Sequence, residues 1–418
     1  MSMEHRHDLY PMLSVEEALE QVLAMFQPLE PESVPVLETL GRTLAQDVYA
    51  DVNIPPHDNS AMDGYAVIAE DAAGASPETP VRLRVVENLA AGYVAQITVT
   101  QGTAVRIMTG APVPEGADAV VRFERTQQEG ESVDLYFAPP VGNNIRYAGE
   151  DVHKGDLILH KGTPIRPQEM GMLASLGCRE VSVVRRPRVA ILATGDELVD
   201  IDEPLAPGKI RNTNSYSNAA QVIKYGGIPV MLGIARDKVG DLTAKIRDGL
   251  AQGVDLFLTS GGVSVGDFDV VKKVLAAEGE MTFWRVRMKP GKPLAFGRLE
   301  TEDGRSVPML GMPGNPVSVM VSFEIFARPA ILRMLGQADL DLPAIDATLT
   351  DEIMSKDERR HYVRVRIGVE DGRYVASLTG AQGSGILNSM VKGNGLAIIP
   401  ADWTHAPAGS RVRAMFFD

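Results

Sequence analysis

RVAILATGDE, Arg188 to Glu197, reads as a buried strand that stops at a glycine and gives way to two carboxylates. Its unbroken apolar run is short and suits a strand covered on both faces. The rhythm then repeats: NSYSNAAQVIKYGG reads as a helix, IPVMLGIA as a strand, DKVGDLTAKIRDGLAQG as a helix, and DLFLTSGG as a strand again. Such alternation means βαβ units and a parallel sheet with helices on both faces. FWRVRM, PLAFGRL and VPMLGMPG continue the sheet, and a helix from Pro316 to about Leu335 closes it. In sheets of this kind ligands bind beyond the carboxyl ends of the strands. The loops after Ala193, Ala235, Ser260 and Leu310 are therefore expected to face one crevice.

Toward the N-terminus, Ser14 and Glu17 have the spacing of a capping box, with Ala18, Leu19, Val22, Leu23 and Phe26 on the apolar face of the helix it opens. Pro28, Pro31 and Pro35 end that helix, and ETLGRTLAQDV is expected to form a second short helical piece. From Ala66 to about Ile165, alternating apolar residues broken by Gly and Pro turns predict a β-rich region, inserted between other elements. From about Asp339 the pattern is again strand-like, in HYVRVRIGV, RYVASLT, GLAIIP and RVRAMFF, and predicts a small β-barrel or sandwich.

A chain of 418 residues is too long for one ordinary core, and 44% hydrophobic with 23% charged residues fits a globular protein. The net charge of −14 argues against nucleic acid or an anionic membrane surface as the main partner. A single cysteine, Cys178, allows no intramolecular disulfide and no cysteine-based zinc site, which fits a reducing compartment. The N-terminal MSMEHRHDLYPMLS lacks the order of a signal peptide, and no apolar run is long enough to span a membrane. These features predict a cytoplasmic protein.

Three segments on the expected crevice carry chemistry. LTSGGVSVGDFD, Leu258 to Asp269, has the glycines and helix start that usually receive phosphate, yet it carries Asp267 and Asp269 and no P-loop lysine. TGDEL, Thr194 to Leu198, could be no more than an acidic helix start. Asp237 after the next strand, with Asp267 and Asp269, makes the rim acidic enough to call for a cation or a cationic ligand edge. MTFWRVRMKPGKPLAFGR is basic instead. Arg285 and Arg287 read as edge-strand charges, but Lys289 and Lys292 sit in a Pro-Gly turn that suits an oxyanion. In GMPGNPVSV, Asn315 and Pro316 read as an N-cap and first helical residue. Met312, Pro313 and Gly314 leave that helix start open to an anion or a ring system. By strand period Arg360, Tyr362, Arg364 and Arg366 share one face, expected to be basic and exposed.

Taken together, NSAMDGYAV, MTGAPVPEGADAVV, NIRYAGEDVHKGD, TGDEL, LTSGGVSVGDFD, MKPGKP and LGMPGNPVS occur in an order that resembles the molybdopterin molybdenumtransferases of the MoeA type, similar also to the E domain of gephyrin. The resemblance runs from about residue 14 to the C-terminus. It implies a multidomain α/β plus β chain in four parts: a helical stem split over 1–52 and 146–184, an inserted β-rich domain over 53–145, a central α/β pterin-binding domain over 185–337, and a C-terminal β-barrel over 338–418. It implies a homodimer that converts adenylylated molybdopterin and molybdate into molybdenum cofactor, releasing AMP, with Mg²⁺. A molybdopterin adenylyltransferase and apo-molybdoenzymes would be further partners.

The family's functional positions fall on Asp63, Thr109, Arg146, Asp151, Glu197, Asp237, Asp269, Lys289, Lys292 and Ser384, and on an Arg of the RRHYVR strand, taken as Arg364. Of these, Asp63, Thr109, Glu197, Asp237, Asp269 and Lys289 would carry the chemistry, with Glu197, Asp237 and Asp269 as metal ligands. The loop Gly261, Gly262, Ser264, Gly266 and Asp267, with Pro313, Gly314 and Asn315, would receive the pterin and its pyrophosphate. Two positions depart from the pattern: Arg285 stands where some relatives have Lys, and RNTN, Arg211 to Asn214, lacks an Asp often found before its second Asn. The α/β domain alone would also permit an adenylyltransferase-like nucleotide enzyme, and the dimer a non-catalytic scaffold. Molybdate and tungstate are alike in charge and size, and sequence does not choose between them.

Overall fold

The Arg188–Thr194 strand is flanked on both sides by parallel neighbours, Ile228–Ala235 and Leu256–Ser260, with Val189 opposite Pro229 and Leu256. The computed structural model describes residues 12–261, 279–355 and 357–417. Beyond Leu256–Ser260 the sheet continues through Ser306–Met312, which is parallel, then Pro293–Glu300, the one antiparallel strand, then Gly279–Val286. Met12–Leu13 adds to the open edge as a seventh strand. The antiparallel strand follows from the chain's tight return between Lys289 and Pro293, since a hairpin-like connection cannot make a parallel crossover.

Helices cover both faces, as the alternation predicts. On one face Thr213–Lys224 and the helical run from Pro316 to Met334 pack in a core with Ile191, Leu258 and Leu310. On the other, Val239–Ala251 sets Leu242, Ile246 and Leu250 against Leu192, Phe257 and Met309. Strands buried on both faces need apolar residues at every position, and for this reason they read as continuous runs.

The N-terminal helix Val15–Leu23 has the predicted capping box on Ser14 and Glu17. Its Val15, Ala18, Val22 and Phe26 lie in the core of the α/β sheet. Residues 12–26 therefore pack with that sheet, although the sequence assigns 1–52 to the stem. What stands between is less helical than expected. Pro31–Pro35 pairs with Glu180–Val184 and Val48–Tyr49 with Leu157–Leu159, and the one α-helix in this region is Pro167–Ser175. ETLGRTLAQDV is not a helix: only Val36–Glu38 makes a short 3₁₀ turn.

From this region a six-stranded sheet projects, running in order Ala119–Arg122, Gly64–Val67, Thr103–Ile107, Val81–Leu89, Ser132–Leu135 and Thr126–Glu129. At the C-terminal end, Arg360–Glu370, Arg373–Leu378, Ala344–Leu349, Arg411–Phe416 and Gly395–Ile399 close on themselves as a five-stranded barrel. Its core is filled by Val363, Val365, Ile367, Ala397 and Val412. The barrel is tied to the α/β sheet by a short parallel ladder in which Met288 faces Arg360 and Lys289 faces His361.

Candidate active site

Glycines let the strand ends of the α/β sheet approach one another. Gly261 has φ +89°, and a Cβ there would sit 2.6 Å from the Thr194 carbonyl oxygen. A Cβ on Gly314 would lie 3.6 Å from the Gly261 Cα. The loops after Thr194, Ser260 and Met312 thus lie close together, and a side chain at Gly261 would force the first two apart, whereas at Gly314 a Cβ would make only ordinary contact. Beside them opens a cleft of about 570 Å³, lined among others by Glu197, Lys289, Lys292, Asn315, Arg359 and Ser384. Pro313 and Gly314 belong to its wall, as do Gln382 and Gly383. The predicted crevice therefore exists, and the barrel supplies its second side.

The MKPGKP turn sets both lysines on this cleft. Gly291 has φ +104°, and a Cβ there would stand 2.7 Å from Ser322 Oγ, so the turn lies tight against the helical run behind it. Lys289 reaches across the domain joint, its Nζ 3.2 Å from Asp357 Oδ2. Asp357 also accepts from Arg359, Nε to Oδ1 at 3.0 Å and Nη2 to Oδ2 at 2.8 Å. The Arg359 guanidinium holds the Asp357 carboxyl well below the usual carboxylate range, with His361 and Lys289 adding to the effect and burial opposing it. His361 is pushed down by burial, which its bond to Asp357 only partly offsets.

At the ends of their strands Asp196 and Asp237, which do not line this cleft, are held by backbone. Asp237 Oδ2 accepts from the Asp196 N–H at 3.4 Å, and Asp196 Oδ1 from the Asp237 N–H at 3.3 Å. Lys209 donates to the Asp196 carbonyl at 2.5 Å and Arg236 to the Leu198 carbonyl at 3.0 Å, so cations lie close behind this rim. Among the described residues no three His, Cys, Asp or Glu side chains are close enough to hold a metal ion by themselves. The third expected ligand, Asp269, lies outside the described residues, together with Gly262, Ser264, Gly266 and Asp267.

At the helix that opens with Pro316, Asn315 occupies the N-cap position, but its side chain makes no capping bond. It lines the cleft instead. Val317 N–H donates to the Ser384 carbonyl at 3.0 Å, which stitches the barrel loop to this helix start. Asn214 Nδ2 donates to the Gly314 carbonyl at 2.7 Å, so RNTN supports the same loop.

Arg364 differs from expectation. The face that carries it is exposed only at Arg366: Arg360 is half-buried, Arg364 is 2% accessible and Tyr362 3%. Val363 and Val365 fill the barrel interior, so Arg364 lies on its outer face, which is buried where the barrel packs against the α/β domain through Tyr362, Met390 and Leu396. Its Nε donates to Ser389 Oγ at 3.1 Å and its Nη2 to the Gly383 carbonyl at 3.1 Å, and burial pulls its pKa down to about 10. It lies behind the 382–384 wall and anchors it. Sequence reasoning also missed Asp357, Arg359 and Gln382. The run of three basic residues in RRHYVR signalled Arg359, and the glycines around Ser384 in GAQGSG signalled a close-approach loop.

A second group of expected residues sits apart. Asp63 Oδ1 accepts from the Thr109 N–H at 2.7 Å and from its hydroxyl at 2.8 Å, and these bonds hold the Asp63 carboxyl below its ordinary range. Arg146 pairs in register with Asn59 nearby, and Arg146 and Asp151 are exposed. None of the four lines the cleft of its own chain.

Known proteins share this domain order and fold. Residues 13–177 match the MoeA N-terminal region (domain I and II), 190–333 a probable molybdopterin binding domain, and 346–417 the MoeA C-terminal region (domain IV). Molybdopterin molybdenumtransferase 2 of Mycobacterium tuberculosis is 38% identical over 96% of this chain and 99% of its own. The chain belongs to the MoeA family. The molybdopterin molybdenumtransferase of Bacillus subtilis is 36% identical over 96% of this chain and 94% of its own. The crystal structure of the molybdopterin biosynthesis MoeA protein from Pyrococcus horikoshii superimposes with a TM-score of 0.82 at 32% identity, covering 97% of this chain and 100% of that one. The MoeA architecture thus accounts for every described domain, including the inserted sheet and the barrel.

Proposed function

We propose that this protein is a molybdopterin molybdenumtransferase that inserts molybdate into adenylylated molybdopterin and releases AMP, the last step of molybdenum cofactor biosynthesis. The observation that carries the reading is the cleft itself, where Lys289, Lys292, Arg359, Glu197, Asn315 and Ser384 meet between the α/β sheet and the barrel in a chain of the MoeA family. The strand-end glycines at 261 and 314 leave room for a flat pterin and its pyrophosphate. Breaking a phosphoanhydride beside a dithiolene asks for charge neutralisation rather than a nucleophilic side chain. The two lysines and Arg359 supply fixed positive charge where the oxyanion and the phosphates gather. The carboxylates of the rim suit the N–H edge of the pterin.

Glu197 and Asp237, with Asp269, are hard oxygen donors of the kind Mg²⁺ takes, and a bound Mg²⁺ would add neutralising charge at the pyrophosphate. No helix of the described chain is long and apolar enough to cross a membrane, and we place the protein in the cytoplasm as a homodimer. The test is incubation of the purified protein with adenylylated molybdopterin, Mg²⁺ and either molybdate or tungstate, following AMP release and activation of an apo-molybdoenzyme. AMP release that depends on the oxyanion is the expected result. Binding of the pterin without AMP release under either oxyanion would favour a scaffold instead.

A further inference from the structure

Asp357 has no part in the roles assigned so far, yet it holds two of the cations that line the cleft. Its contacts are unequal. Arg359 chelates it through two bonds, at 3.0 and 2.8 Å, whereas Lys289 reaches it through one, at 3.2 Å. The Lys289 side chain is 46% exposed and that of Arg359 26%. His361 locks the carboxylate from behind. Its Nε2 lies 3.0 Å from Asp357 Oδ1 and 3.1 Å from Ser355 Oγ. Because the Ser355 hydroxyl donates to the Asp357 carbonyl at 3.1 Å, both neighbours of His361 Nε2 are acceptors, so Nε2 carries a proton shared between Asp357 Oδ1 and Ser355 Oγ. Ser355 and His361 are both buried. One cation is thus clamped, one is loosely held, and the carboxylate between them cannot turn away.

We propose that Asp357 is a positioning residue that sets the affinity of the cleft for tetrahedral oxyanion dianions, an inference that rests on the oxyanion-transfer reading above. It keeps Arg359 aimed at the cleft at all times and releases Lys289 only when an oxyanion takes its place. An arriving dianion must displace one ion pair to form another. Its affinity is held down, and its departure into product is kept easy. Removing the charge of Asp357 frees Lys289 in advance and removes a repulsion a few ångströms from the bound oxyanion. Such a change is worth about three- to tenfold in dianion affinity for a partly solvated pair. Looser aim of both cations should slow the chemistry at the same time.

The experiment is calorimetric titration of molybdate, tungstate and sulfate into the full-length wild type, Asp357→Asn and Asp357→Glu, with AMP release measured on the same preparations. Asp357→Asn is expected to bind each dianion about three- to tenfold more tightly and to turn over more slowly, lowering KM for molybdate and kcat together. Asp357→Glu, which keeps the charge, should return dianion affinity to within about twofold of wild type. A merely structural residue would weaken binding or leave it alone. Unchanged or weaker dianion binding in a folded Asp357→Asn, or no dianion binding by wild type, overturns the assignment. Asp357→Ser repeats the measurement if the asparagine variant fails to fold, and failure of both makes the residue structural and ends the proposal. The two readings separate cleanly. AMP release by wild type with unaltered oxyanion affinity in the variant sinks only the role of Asp357. Tighter dianion binding in the variant without any AMP release by wild type sinks only the transferase reading.

Discussion

Arg364 shows why a residue's type and its period do not fix its role. A two-residue period correctly places it with Arg360, Tyr362 and Arg366 on the outer face of the barrel, but docking of the barrel on the α/β domain decides which part of that face meets water. Arg364 is buried with a hydroxyl and a carbonyl as the partners of its guanidinium. Arg364→Lys cannot span both acceptors, because an ammonium offers a single donor point where the guanidinium offers a fork. Stability should fall by about 1–3 kcal/mol, the usual cost of a buried polar group left unmade. The molybdate requirement should rise about tenfold as the Gly383–Ser384 wall loosens, which corresponds to about 1.4 kcal/mol. Chemical denaturation and a molybdate titration read the two effects separately, and an unaltered titration would confine Arg364 to the barrel. The cleft lysines were legible because Pro-Gly punctuation marks a turn whatever the fold. Asp357 was not, because its meaning comes from a parallel ladder between segments about seventy residues apart, Lys289 facing His361.

At the level of elements, legibility followed periodicity. Strands such as Leu256–Ser260 were readable because every position is buried. ETLGRTLAQDV misled because its spacing is compatible with a helix while its backbone bonds go elsewhere. Gly41 N–H donates to the Ile165 carbonyl, Leu44 to Thr163 and Ala45 to Ser182, and Gly41 sits at φ +73°. Such long-range partners are invisible in a local window. The Pro167–Ser175 helix of the same region carries a testable start. The Glu169 carboxylate accepts from the Arg166 N–H at 2.9 Å and from its guanidinium, which holds its pKa down at about 2 against an ordinary 4.5. A depressed carboxyl contributes stability above its unfolded value and loses it as pH falls through the folded one. Glu169→Gln should therefore cost about 1 kcal/mol at neutral pH, a figure kept small because Arg166 is largely in solvent. The difference from wild type should shrink steadily as pH falls from 4.5 toward 2. Denaturant midpoints across that range check it, and a gap that persists at the acid end would show that the side chain acts by packing.

On the scale of the whole molecule, one chain keeps two groups of candidate residues apart. Asp63 and Thr109 are bonded to each other on the inserted sheet, away from the cleft that holds Lys289. If the homodimer brings one chain's sheet to the other's cleft, mixing Asp63→Asn with Lys289→Ala should recover activity, since one of the two sites in a mixed dimer carries neither change. About a quarter of wild-type activity is expected from random pairing, in which half the dimers are mixed and each has one intact site. Mixtures no more active than their parents would mean each chain works alone. The sequence points to a homodimer only through its family resemblance, because a contact between copies leaves no periodic trace. The inserted sheet has a further consequence. It leaves and rejoins the chain through adjacent antiparallel segments, Asn59 opposite Arg146 and Ser60 opposite Ile145, with Ile54 bridged to Val152 farther back. Entry and exit lie side by side, so the inserted module is a graft: cutting at that ribbon and rejoining its ends with a tight turn spans no gap. Such a host can lose, exchange or duplicate the graft while its stem keeps the same path, and an ancestor without the inserted sheet would have needed no new fold to gain one.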